Sequence, residues 1–224
     1  MEFNIPLYAG IHKGQRRWLA EMIVRAGRTD FTQRAEVEWL MNQLDLFLAH
    51  HREHAELEQR FVHPRLSLIV PGGARAIEEE HEEHHEMLKD MIHSLDRIKG
   101  IPPDHPTLPL IGQDFYLALN RFVASYLMHI DYEESYVQNV LLNDSTAEEI
   151  MDIFQQILAA QPATSLRDNL TLMLAAMNVP EAVGLLTMAK GKLPQALYDD
   201  LTARAAQFIG PQRWTEIQAA LGNH

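Results

Sequence analysis

The 224-residue chain is 46% apolar, enough for one substantial core or for one domain with a smaller appendage. It has no cysteine, which excludes disulfides, iron–sulfur clusters and thiolate zinc sites and leaves only nitrogen and oxygen donors for a metal. A net charge of −12 argues against nucleic acid and anionic membranes. No apolar run approaches the ~20 residues of a membrane span, and no basic-then-apolar leader opens the chain, so a cytoplasmic location is expected.

β-Branched residues are sparse and no stretch alternates with period two, so the chain reads as all-α. The first helix is expected over about Pro6–Arg25, with Tyr8, His12, Gln15, Leu19, Met22 and Ala26 recurring in steps of four and three. Gly27–Asp30 breaks it. A second helix over about Thr32–Val62 carries the seam Val37, Leu40, Leu44, Phe47, His51, His54, Glu58 and Phe61, and Pro64 and Pro71-Gly72-Gly73 end it. The third, about Ala74–Lys99, aligns Ile77, His81, His84, Leu88, Met91, Leu95 and Ile98, with His85 beside the stripe. After Gly100 and a Pro-rich connection, a fourth helix over about Gly112–Leu142 carries Phe115, Leu119, Phe122, Tyr126, His129, Glu133, Tyr136 and Val140.

Four stripes near heptad period, joined by short connections, predict an up-down-up-down four-helix bundle over residues 1–143. Residues 144–224 read as a C-terminal helical extension. Ser145-Thr146-Ala147-Glu148 looks like a capping box. Amphipathic stretches follow at about 146–160, 165–177, 181–190, 195–208 and 212–221, with Pro162, Pro180, Pro194 and Pro211 at or near their starts.

In an antiparallel bundle His12, His54 with Glu58, His81 with His85, and His129 with Glu133 all fall at one end. Each lies on or beside an apolar seam, and no Lys or Arg shares the seams of Glu58 and Glu133 nearby. A buried carboxylate without a partner costs several kcal/mol, so these seven groups together point to bound metal. His51 and His84 also lie on seams and suit orienting roles around such a site. His50, His63, His93 and His105 are assigned to the surface or to loops. Two alternatives remain open. His81-Glu82-Glu83-His84-His85 also matches His-Glu-x-x-His, which would make the protein a zinc hydrolase with Glu82 as general base. A structural bundle that tolerates histidine is the other. A ferritin-type site fails, because Tyr126 and His51 stand where glutamates would precede His129 and His54 by three.

The order His12, His54-x-x-x-Glu58 followed by Phe61-Val62-His63-Pro64, then Glu80-His81 with His85, then His129-x-x-x-Glu133, resembles the hemerythrin-like family of HHE cation-binding domains. The resemblance covers about residues 6–141. It implies a non-haem site for two iron ions using His12, His54, Glu58, His81, His85, His129 and Glu133, with the two glutamates bridging. It leaves the chemistry open among binding or sensing of O2 or NO, redox sensing and iron handling, with binding favoured over turnover; a homodimer is also allowed. Two departures matter. The oxygen carriers of the family place an Asp five residues after the last histidine, where this chain has Glu133 at four and Glu134, off the seam, at five. They also lack the long C-terminal extension. Five imidazoles against two carboxylates disfavour strongly oxidising chemistry, so binding is expected over oxygenation.

Overall fold

The computed structural model describes residues 7–222. Among them every regular element is helical: α1 Ala9–Ala26, α2 Arg34–Phe61, α3 His63–Ile69, α4 Arg75–Gly100, α5 Leu108–Tyr132, a π-helical turn Glu133–Val137, α6 Gln138–Asp144, α7 Ala147–Ala160, α8 Ala163–Ala176, α9 Val179–Lys192, α10 Gln195–Ile209 and α11 Pro211–Leu221. The chain forms two compact units, one of Trp18–Ile153 and one of Met1–Arg17 with Phe154–His224. The sequence pattern alone suggests a division at 143/144. Residues 1–6, where the first helix is expected to begin, lie outside the described residues.

The larger unit is a helical bundle around one apolar core. Leu19, Met22 and Ala26 of α1 meet Leu40, Leu44 and Phe47 of α2, Leu88, Leu95 and Ile98 of α4, and Leu119 and Phe122 of α5. These are the predicted seam residues, all at or below 2% exposure. Each fully buried Leu or Phe contributes about 1.5–3 kcal/mol relative to an exposed one, so the shared stripe holds the bundle. α2 packs on α4, and α4 on α5.

Two features depart from the seams. Pro64 does not simply end α2. It sits at the first positions of a new helix, α3, which buries His63 and Leu66. On the fourth seam, Tyr136 is 40% exposed while Val137 and Leu141 are fully buried, so the stripe moves on by one residue after Glu133. The π-turn is the cause: it closes bonds five residues apart instead of four and inserts one residue into the helical register.

Arg65 of α3 anchors the connection to α7, donating to the Asp144 carbonyl, Ser145 Oγ and Glu149 Oε2. The capping box lies one residue later than the sequence suggests. Thr146 N donates to Glu149 Oε2 and Glu149 N to Thr146 Oγ1, while Ser145 serves Arg65.

In the smaller unit, α8 packs on α10 and α9 on α11, over Leu170, Leu174, Leu186, Leu201 and Ile217. Asn178 and Glu181 form a reciprocal cap on α9, and Lys13 reaches Glu181 at 2.5 Å. Gly10 and Gly14 let the start of α1 approach α8: an added Cβ would run into Met173 Cε at the first and Leu172 Cγ at the second.

Gly112 marks a similarly close approach in the bundle, where an added Cβ would run into the Phe31 ring, itself edge-on to Phe115 at 5.9 Å. Gly112→Val should therefore destabilise the protein by about 1–3 kcal/mol through overpacking. Pairing it with Phe31→Ala should recover part of that loss. Chemical denaturation of the single and double variants checks this, and strict additivity would contradict the contact.

Candidate metal centre

The candidate ligands in the larger unit come from the end of α2, the start of α4 and the end of α5. His54 and Glu58 are one turn apart on α2, which puts both on one face. His129 stands one turn before Glu133, the first residue of the π-turn. The Glu133 N–H is shared between the carbonyls of His129 and Ile130, where the helix changes its hydrogen-bond spacing. Glu58 is 3% exposed and Glu133 fully buried.

These groups converge. One oxygen of Glu58 lies 3.2 Å from His54 Nε2 and the other 3.3 Å from His81 Nε2. Glu133 Oε1 is 3.4 Å from His129 Nε2 and 3.7 Å from His81 Nε2. Ligand atoms of His81, His129 and Glu133 all fall within 4.8 Å of one another, and so do those of His54, Glu58 and Glu133. Glu133 thus belongs to both sets, and Glu58 turns one oxygen toward an imidazole of each. Neither Glu58 oxygen nor His81 Nε2 makes an aligned hydrogen bond despite these short separations. That is the geometry of donors aimed at points between them.

No Lys or Arg pairs with Glu58 among the described residues, so imidazoles carry the local charge balance. Burial, the largest influence on His81, lowers its pKa, but Glu133 and Glu58 together raise it to about 10. His129 goes the other way, because burial outweighs the pull of Glu133. Of the two rings facing Glu133, His81 holds the proton. The buried Tyr126 phenol is pushed well above its ordinary range by burial and by both glutamates, and it stays protonated.

A second layer holds the first. His129 Nδ1 donates to Glu80 Oε2 at 2.8 Å, which fixes its tautomer and turns Nε2 toward Glu133. His51 and His84, expected in orienting roles, are both buried. His51 Nε2 donates to the His81 carbonyl, and His84 Nε2 pairs with Ser125 Oγ. Burial lowers both to about 3, so both rings are neutral.

Sequence spacing misses His63, which it assigns to the surface. The residue is 3% exposed, its Nδ1 lies 3.1 Å from Glu78 Oε1, and its ring stacks on His81 at 6.1 Å. Its position beside Pro64 suggests a loop; only the restart of the chain as α3 turns it inward. His85 is not gathered into either set. It lies half-buried with Glu82 on a cleft of about 480 Å³ between α2 and α4, also lined by Glu56, Glu78 and Lys89. All three residues of the His81-Glu82-x-x-His85 run line that cleft, and of them only His81 also belongs to a buried ligand set. Glu134, half-buried, stands outside both sets. His12 is buried on the first half of α1, in the smaller unit, with its ring stacked on Tyr8 at 5.2 Å.

The family model of the hemerythrin HHE cation-binding domain matches residues 5–142. Comparison with curated proteins and with solved structures gave no match.

The charge state of His81 yields a pH prediction. Its ordinary pKa of 6.5 is raised to about 10 in the metal-free fold. The stabilisation from its proton is complete below 6.5 and is lost as pH climbs through 10. A metal ligand must be the neutral ring, so a cation bound near pH ~8 should expel about one proton from His81, and affinity should rise about tenfold per pH unit across that window. Calorimetric titration of metal-free protein with Zn(II) in two buffers of different ionisation enthalpy measures the proton count; no release at that pH would contradict the assignment.

Proposed function

The chain belongs to the hemerythrin HHE cation-binding domain family, and from that premise we propose that it is a non-haem di-iron protein that binds or senses O2 or NO. One observation carries the reading: Glu58 presents one oxygen to His54 and the other to His81, while Glu133 is common to both ligand sets. Two carboxylates so placed suit two cations better than one. The donors fit iron, with imidazole and carboxylate alone and no thiolate to favour softer ions.

In this reading His81 and His129 would hold one ion and His54 the other, with Glu58 and Glu133 shared between them. The family resemblance adds His12, seven residues before Leu19 and on the same face of α1. His85 is not used. A bound iron pair would supply the chemistry for binding a diatomic. The chain's own part is to exclude water and hold the ligands still. Phe47, Phe122 and Tyr126 are fully buried and pack against one another beside His51, His84 and His129. No helix among the described residues is long and apolar enough to cross a membrane. We assign the bundle an up-down-up-down topology and the protein a cytoplasmic setting.

Protein from iron-replete cells should carry about two irons per chain by elemental analysis. Glu58→Ala and Glu133→Ala should each lose metal, whereas Glu134→Ala should stay near wild type, because one residue's helical rotation of about 100° turns it off the seam. Loss in Glu134→Ala with retention in Glu133→Ala would reverse the choice of carboxylate.

Anaerobically reduced protein should bind NO, seen as new visible absorption, and should not cleave peptides or esters. A single zinc per chain, with hydrolysis abolished by Glu82→Gln, would establish a hydrolase instead.

A further inference from the structure

We propose that His63 is a third imidazole donor to the cation held by His81 and His129; the proposal rests on the metal-centre reading above. Glu58 and Glu133 supply the oxygens of that half, and His63 would bring it to three nitrogens.

Three observations point the same way. His63 is only 3% exposed, and its Nε2 has no hydrogen-bond partner. An unpaired buried polar atom costs about 1–3 kcal/mol; His51 Nδ1 and His84 Nδ1 are unpartnered too, and His63 differs from them in the carboxylate that holds its other nitrogen. Second, the tautomer is set. Glu78 Oε1 accepts from Nδ1 at 3.1 Å, which leaves Nε2 with a bare lone pair, the form that ligates. Third, the protein builds the same device twice. Glu80 holds His129 through Nδ1 just as Glu78 holds His63, and the two glutamates precede His81 on α4 by one and three residues. The unpartnered Nε2 atoms of His63 and His81 belong to rings stacked within 11° of parallel.

The fold explains how a short helix delivers a ligand. α3 is fixed by fully buried Leu66 and by the three bonds of Arg65 to the start of α7, so His63 enters from a clamped element rather than from a loose turn. Neither His63 nor His85, the third imidazole that spacing favours, lies in the two close ligand sets; His63 is the one of the two that is buried, with its ring stacked on His81.

The test loads full-length protein with Co(II) and counts hyperfine-shifted imidazole N–H protons by NMR in water. The His63 Nδ1 proton, bonded to Glu78, is sheltered from exchange. Wild type should show it among the shifted set, His63→Gln should lack one resonance, and His85→Gln should keep all. Cobalt affinity should fall at least about tenfold in His63→Gln, and in Glu78→Gln by about tenfold with the resonance retained but moved, as for loss of an orienting partner. A full resonance set and unchanged affinity in His63→Gln, with only a lower Tm, would show that the His63–Glu78 pair merely clamps α3 to α4 and would overturn the proposal. Should His63→Gln fail to fold, ¹⁵N-histidine labelling of the wild type decides: an unshifted His63 ring overturns it equally. Wild type that takes up no Co(II), Zn(II) or Fe(II) would refute the metal centre itself, a different result.

Discussion

Two carboxylates, Glu58 and Glu133, lie sealed inside a helical bundle with imidazoles as their neighbours, and the rest of the structure answers to that. A buried anion costs several kcal/mol unless positive charge is brought to it. In the metal-free fold the charge is a proton on His81, drawn there by both glutamates against the effect of burial. A proton satisfies one point, whereas both Glu58 oxygens, Glu133 Oε1 and three imidazole nitrogens converge on more than one. The apolar layer of Phe47, Phe122 and Tyr126, all fully buried, packs beside the cluster.

Much of this is legible in the apolar seams. Residues at steps of three and four fix which face of a helix turns inward, and a histidine or glutamate on that face must turn inward as well. That rule singles out His54, Glu58, His81, His129 and Glu133, and it prefers Glu133 to Glu134. What the seams cannot convey is set by breaks in helical regularity. The π-turn moves the stripe from Tyr136 and Val140 to Val137 and Leu141, and no residue type announces it. Pro64 signals a helix end, yet it suits a helix start equally well, and α3 with its buried His63 is the consequence. His85 shows the converse limit. It lies one position beyond buried His84, about 100° round the helix, and that rotation separates core from cleft.

The π-turn bears on the site as well as on the register. A π-bulge inserts a residue that re-aims a side chain, with poorer local bonding, and here it begins at Glu133 itself. The carboxylate that both ligand sets share is the one at which the helix changes pitch. Downstream, Val137 and Leu141 return to the core, so the adjustment is confined to the site.

Charge behind the ligands matters as much as charge among them. Two divalent ions, if bound, would set four positive charges against the two buried carboxylates, an excess of two in an apolar bundle. Glu80, behind His129, and Glu78, behind His63, add two negative charges through imidazole N–H groups rather than by direct ligation, and both carboxylates remain partly open to solvent. Placed there, they offset the excess without desolvating further anions, and they make the rings they hold better donors. With Glu58 and Glu133 among the ligands and Glu78 and Glu80 behind the imidazoles, such a centre would be nearly neutral. The two glutamates just before His81 therefore set the charge around the cluster that the seam of α4 places at the heart of the bundle.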